Sequence, residues 1–303
     1  MTPDAIARLR RLPRIKRARG YRLYAVDGRR LLDMWQAGGR AILGHRGAGV
    51  ITEMKRVLER GVLAPLPSQQ EQRLEQALRR LFGDQPERAG GGGSGSGDFR
   101  FAVFANEERA RAAVSRALSL DMDATLPWDP ALGPNAGARL VRYWRPFLPS
   151  AAETGAPSTA HDGRKPSAAW ADSDSPVVVL PILPDGGLSS AQVVVYRAGS
   201  GVQLDSDLLP EPLLRGLAVA SDALRTATAP GVIRLANVDM IGPYVRLATA
   251  SDASPRYDDL FDALLADGIV ISPDPASPSI IPGELSDGEL RRIERAFAGT
   301  RRA

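Results

Sequence analysis

Residues 20–45 read GYRLYAVDGRRLLDMWQAGGRAILGH, and the organisation of the chain is worked out from this stretch. Tyr21 to Leu32 is two short runs rich in apolar residues on either side of Asp27-Gly28, the dipeptide that best favours a tight hairpin turn. A glycine-rich turn follows, with Gly38, Gly39, Gly44, Gly47 and Gly49. Beyond it, Ile51, Met54, Val57 and Leu58 recur at helical spacing and predict a helix over Val50 to Arg60. Upstream, residues 4–17 read as a short helix broken near Pro13.

Downstream, Ser68 followed by Glu71 has capping-box spacing and opens a helix running to Phe82. Residues 89–97, AGGGGSGSG, read as a flexible loop. Phe99 to Phe104 then predicts a strand and Glu107 to Leu120 a helix. Residues 127–174 are irregular, apart from a strand-like piece at Ala138 to Trp144. Val177 to Leu183 and Ala191 to Tyr196 are β-branched runs suited to buried strands. The last third alternates. Helices are expected at Pro212 to Thr226 and Tyr257 to Asp267, and strands at Ile233 to Val238, Tyr244 to Ala248 and Ile269 to Ser272. A final helix opens at Ser286 with Glu289 completing a second capping box.

Composition bounds the function. The 303 residues are 44% hydrophobic and 24% charged, as in an ordinary globular protein. There is no cysteine, which excludes disulfides, thiolate metal sites and a cysteine nucleophile. The most apolar stretch, Val177 to Leu183, is far shorter than a membrane span and is interrupted by Pro181. The first residues lack the apolar core of a secretory signal, so a cytoplasmic location is expected and no membrane association. The pI of 9.7 reflects 36 arginines against three lysines, yet the net charge is only +4. A cluster of Arg8, Arg10, Arg11, Arg14, Lys16, Arg17 and Arg19 could meet an anionic surface. It lacks accompanying aromatic residues, and a solvated face is the preferred reading over nucleic-acid binding.

Three stretches, in order, resemble the fold type I pyridoxal-phosphate (PLP) enzymes, above all the class III aminotransferases and the glutamate-semialdehyde aminomutases. The first is residues 20–45, where a strand pair on an Asp-Gly turn leads through glycines to Leu-Gly-His. The second is residues 100–118, RFAVFANEERARAAVSRAL, similar to a strand, a Ser-Gly-containing turn and a helix. Asn106 and Glu107 stand where the resemblance calls for Ser-Gly. The third is residues 268–297, which resemble the family's closing small-domain segment.

The resemblance implies an α/β fold like that of the PLP-dependent transferases, with a reduced large-domain sheet and a retained α+β small domain. It divides the chain into an N-terminal segment (1–88), the Gly/Ser-rich loop (89–97), a reduced large domain (98–205) and a small domain (206–303). A homodimer, or association with a paralogous aminotransferase subunit, is implied by the same analogy.

PLP chemistry needs a Schiff-base lysine, a carboxylate for the pyridine nitrogen, a phosphate cup at a helix N-terminus and a stacking ring. Lys16 and Lys55 fall in the N-terminal segment, so Lys165 is the one catalytic candidate; it also reads as an exposed loop lysine. Asn106, Glu107 and Arg109 occupy the phosphate-cup position, where Glu107 and Glu108 would repel a dianion. Asp185, after the apolar run, is the carboxylate candidate, and Pro184-Asp185-Gly186-Gly187 is equally a plain turn. No stacking ring is singled out. His45 and His161 lack metal-ligand spacing, and Asp121, Asp123 and Asp129 read as turn and helix-end residues. The expectation is therefore an aminotransferase-like protein without PLP that has lost transamination and binds a small molecule or a protein. The alternatives are an active PLP-dependent aminotransferase or aminomutase using Lys165, and a non-catalytic subunit or regulator of a paralogous aminotransferase.

Overall fold

The computed structural model describes residues 1–83, 99–133, 140–148, 178–229, 235, 238–247 and 254–299. The first helix, α1 (Pro3–Leu9), is capped by Thr2, whose side chain accepts from Ala5 N–H, and it stops well short of the expected residue 17. Pro13 cannot continue a helix and disfavours helical backbone in the residue before it. The chain re-enters as a strand instead, so that β1 (Ile15–Arg19), β2 (Arg22–Ala25) and β3 (Arg30–Asp33) form an antiparallel meander. Asp27 holds its turn by accepting from Arg29 N–H.

Two helices follow, α2 (Val50–Leu58) and α3 (Gln69–Gly83), and both pack on α5 (Glu211–Thr226). Gly216 lets α2 lie close: a Cβ there would sit 3.0 Å from Met54 Sδ. Beside this contact Glu53 accepts from Arg215 Nη2 at 2.6 Å.

The largest sheet comprises β4 (Phe99–Phe104), β5 (Val141–Trp144), β6 (Val178–Pro181) and β7 (Gln192–Arg197) in the order β4-β7-β6-β5. β5 and β6 are parallel, and β7 is antiparallel to both β6 and β4. Three strands thus run one way, with β7 reversed among them. Period-two alternation sorts their side chains. Ala102, Phe104, Val178, Leu180, Val194 and Tyr196 pack with Ala110, Ala113 and Val114 of α4 (Glu107–Leu118). Val103, Val179, Val193 and Val195 face the opposite way, with Leu74, Leu78 and Phe82 of α3 and Leu214, Leu217 and Leu224 of α5. The result is three layers, helix on sheet on helices. Burial on both faces explains why these strands read as continuous apolar runs.

The C-terminal elements are β8 (Asp239–Ile241), β9 (Tyr244–Arg246), α6 (Ser254–Ala266), β10 (Ile269–Val270), β11 (Ser279–Ile280) and α7 (Asp287–Gly299). β10 adds parallel to β3, and β11, β9 and β8 form a small antiparallel sheet. Leu31, Leu32, Phe261, Ile269, Ile293 and Phe297 share one apolar cluster, which joins the N-terminal hairpin to these elements. The expected strand at 233–238 lies largely outside the described residues, and pairing begins at Asp239. The short β11 was not anticipated; two residues carry no readable period. The Gly/Ser-rich loop, 89–97, lies outside the described residues.

Ion pairs reinforce the union of the two ends. Arg8, almost fully buried, reaches Asp258 and donates to the Pro273 carbonyl. Glu289 performs the expected capping, accepting from Ser286 N–H at 2.9 Å, and also takes Arg22 Nη2 at 2.6 Å. Its bond with Arg22 outweighs burial and, with the Ser286 donors, holds the carboxyl at about 2 against an ordinary 4.5. A depressed folded-state value means stability present above about 4.5 and lost as pH falls toward 2. Urea unfolding of Glu289→Gln should therefore show a deficit of roughly 3 kcal/mol at pH 7. That deficit should shrink below pH ~4.5 and be nearly gone at pH 2; one independent of pH would contradict the assignment.

Candidate functional site at the carboxyl edge of the sheet

In open α/β sheets ligands sit in the crevice beyond the carboxyl ends of the parallel strands. Here β4 ends at Phe104, β5 at Trp144 and β6 at Pro181, which puts Asn106, Arg145 and Asp185 on the same side of the sheet. Three of the sequence-predicted residues, Asn106, Glu107 and Arg109, lie together at the start of α4. Asp185 lies on the same edge, in the turn between β6 and β7. Lys165 and His161 fall outside the described residues.

The α4 N-terminus is closed by its own neighbourhood. Asn106 is extended, and its Oδ1 accepts from Arg109 N–H at 2.9 Å, the ordinary capping bond. Asp207 accepts from Ala105 N–H at 2.9 Å and takes Arg109 Nε and Nη2 at 2.6 and 2.5 Å. Arg109 holds the Asp207 carboxyl below the usual range, against the opposing effect of burial. Glu107 accepts from the Tyr143 hydroxyl at 2.6 Å. Burial, followed by the Glu107 charge, pushes that phenol well above its ordinary 10. A helix start that attracts anions through free N–H groups and a positive dipole end is therefore surrounded by Glu107, Glu108 and Asp207.

Asp185 is 3% exposed, and its oxygens are engaged in the turn. It accepts from Gly187 N–H at 2.9 Å and Ser189 Oγ at 2.8 Å, with Arg40 Nη1 at 3.6 Å. Its role in the structure is that of a turn-forming aspartate with a cation alongside.

Arg145, which sequence reasoning passed over, and Asp129 hold this edge together. Arg145, directly after β5, is 4% exposed. Its Nε and Nη2 meet Asp129 at 2.9 and 2.6 Å, its Nη1 donates to the Gly38 carbonyl at 3.0 Å, and its guanidinium lies 5.4 Å from the Tyr244 ring centre. The Gly38 contact brings the turn Gln36–Gly39 down over the strand ends. A Cβ at Gly39 would come within 3.3 Å of Arg145 Nη1 and Ile182 Cγ2, and one at Gly187 would come within 3.0 Å of Ala37 Cβ. Gln36 and Ala37 both adopt left-handed backbone, at φ 49° and 50°. Asp129 had been read as a turn residue, which it is, since it caps Ala131; its partner could not be read from spacing. Among the described residues, no group of three or more His, Cys, Asp or Glu could hold a metal ion.

No known protein-family model matches this sequence. A protein of Treponema pallidum is 32% identical over 146 residues, which are 48% of this chain and 39% of that protein. One of Borreliella burgdorferi is 46% identical over 57 residues, 19% of this chain and 21% of that protein. Both are uncharacterised, and the matched stretches span well under half of their length. Among solved structures, ornithine aminotransferase from Plasmodium yoelii superposes with a TM-score of 0.62, covering 94% of this chain and 92% of that one at 12% identity. Ornithine aminotransferase from Toxoplasma gondii gives 0.60 at 14% identity, covering 95% and 91%. Acetylornithine aminotransferase from Elizabethkingia anophelis gives 0.57 at 12%, covering 94% and 92%.

The fold is that of the PLP-dependent aminotransferases. The residues at the carboxyl edge do not fit their cofactor. A phosphate dianion at α4 would meet the carboxylates of Glu107, Glu108 and Asp207 around a helix start whose Arg109 N–H is already taken by Asn106. The carboxylate candidate, Asp185, is taken up by the Gly187 N–H, the Ser189 hydroxyl and Arg40. No lysine occurs between Ile182 and Ala191, and the described lysines, Lys16 and Lys55, are in β1 and α2.

Removing the counter-charge of a buried ion is costly. Asp129→Ala should lower unfolding stability by about 3–5 kcal/mol, whereas the double change Asp129→Leu with Arg145→Met should recover most of it. Chemical denaturation of the three proteins checks this. At α4, Asn106→Ala should cost about 1 kcal/mol through loss of the cap, measured in the same way.

Proposed function

We propose that this chain is an aminotransferase-like protein that has lost PLP-dependent transamination and binds a small molecule or a protein through its remodelled cleft. The observation that carries the reading is the α4 N-terminus. Asn106 caps it, Asp207 takes the Ala105 N–H, and Glu107 and Glu108 flank it, so a phosphate would have to displace like charge. Arg145 and the turn Gln36–Gly39 support it by filling the strand ends with the protein's own polar groups. A homodimer in the cytoplasm, or a complex with a catalytically active paralogue, belongs to the same reading by analogy with the fold. No helix among the described residues is long and apolar enough to cross a membrane.

The test is visible absorption of the purified protein with excess PLP, then borohydride reduction and peptide mapping. The expected outcome is no stable imine band and no reduced lysine adduct at stoichiometric level. A yellow protein with reduced cofactor on Lys165 would overturn the reading and make the chain a PLP enzyme of unusual layout.

A further inference from the structure

A second concavity, of about 340 Å³, lies between β1, the turn 44–47, the start of α2 and the 184–188 turn. This is within the size of small-molecule sites. Its walls divide by chemistry: Val50, Ile51, Pro184 and Leu188 are apolar, while Arg17, Arg46 and His45 are basic or polar.

Each basic group is placed by the backbone. Arg17 projects from edge strand β1 with its guanidinium 4.3 Å from the Tyr24 ring centre. Arg46 sits in left-handed backbone at φ 67°, between Gly44 and Gly47, and has no carboxylate partner among the described residues. His45 is fixed from both sides. Its backbone N–H donates to the Gly20 carbonyl at 2.6 Å, and its ring Nε2 meets Asp33 Oδ2 at 2.7 Å. Asp33 is itself buried and held by Trp35 and Gln36 N–H, so the imidazole orientation is set from beneath. The one acid on the wall, Asp185, is already engaged by Gly187, Ser189 and Arg40.

We propose that this concavity binds a small organic anion, one phosphate or carboxylate head on an apolar body. Arg46 and Arg17 take the head, and Val50, Ile51, Pro184 and Leu188 cover the body. The proposal rests on the non-transaminating reading and names a ligand class for a recess walled in part by the 184–188 turn of the carboxyl edge. Two arginines with one engaged acid give the cavity a net positive field, and its apolar walls strengthen that field on a desolvated head. Arg46 and Arg17 are exposed, so their removal leaves the core intact.

The test is calorimetric titration of the full chain, without PLP, using phenyl phosphate, phenylacetate and neutral benzyl alcohol. One equivalent of at least one anion should bind, at least tenfold more tightly than the alcohol. The two anions distinguish a phosphate from a carboxylate head. Arg46→Ala and Arg17→Ala should each weaken binding at least fivefold, while Arg73→Ala on α3 should leave it unchanged. No binding of either anion, equal binding of the alcohol, or unchanged affinity in Arg46→Ala overturns the proposal. Because the readout is independent of lysine adduct formation, failure here leaves the loss of transamination standing. A Lys165 adduct alongside intact anion binding would overturn only that loss.

Discussion

The guanidinium of Arg145 is almost wholly removed from water, and that single constraint organises the carboxyl edge. A buried cation is tolerable only if a carboxylate and further acceptors surround it. Asp129 supplies the charge, and the Gly38 carbonyl supplies a third acceptor. Meeting the demand fixes three separate pieces of chain. The 3-10 turn Pro130–Leu132 is set by Asp129, the end of β5 by Arg145 itself, and the turn Gln36–Gly39 by the Gly38 carbonyl. Tyr244, stacked near the same guanidinium and bonded to the Pro146 carbonyl, adds the small C-terminal sheet.

A second set of ion pairs works differently. Arg8 with Asp258, and Arg22 with Glu289, join residues more than 240 positions apart, tying the N-terminal helix and hairpin to α6 and α7. β3 pairing with β10 makes the same connection through the backbone, and Leu31, Leu32, Ile269 and Phe261 make it through apolar burial. Three kinds of interaction converge on one junction. That convergence explains why the stretch 20–45 is so informative: it carries both the hairpin and the strand that receives the C-terminal elements.

Much of this was legible before the structure. Apolar runs at 99–104, 177–183 and 191–196, two capping boxes and the Asp-Gly hairpin are local signals, and each produced its element. The helix expected across residues 4–17, broken near Pro13, ends at Leu9, and beyond the break Ile15–Arg19 gains its strand identity only from β2. Asn106 and Glu107 could be placed at the start of a helix from their types alone. Arg145 could not be recognised, since its partner Asp129 is sixteen residues away and its third acceptor lies across the fold at Gly38. Long-range pairing of charge leaves no spacing in a sequence.

The turn over the strand ends is held under strain. Gln36 and Ala37 occupy left-handed backbone, which costs about 1–2 kcal/mol per residue for side chains other than glycine. Gln36 Oε1 is buried without a partner among the described residues, a further cost of about 1–3 kcal/mol. Such strain persists only when surroundings over-determine it. Here Asp33 accepts from Trp35 and Gln36 N–H, Gln36 Nε2 donates to the Ile280 carbonyl, and Arg145 grips Gly38. The first of these anchors is also the carboxylate that orients His45 on the wall of the second cavity. One buried aspartate, Asp33, thus both helps hold the turn over the strand ends and sets the imidazole on the cavity wall. On the proposed reading, a fold closed at its ancestral crevice keeps a second recess beside it, oriented by the group that secures the closure.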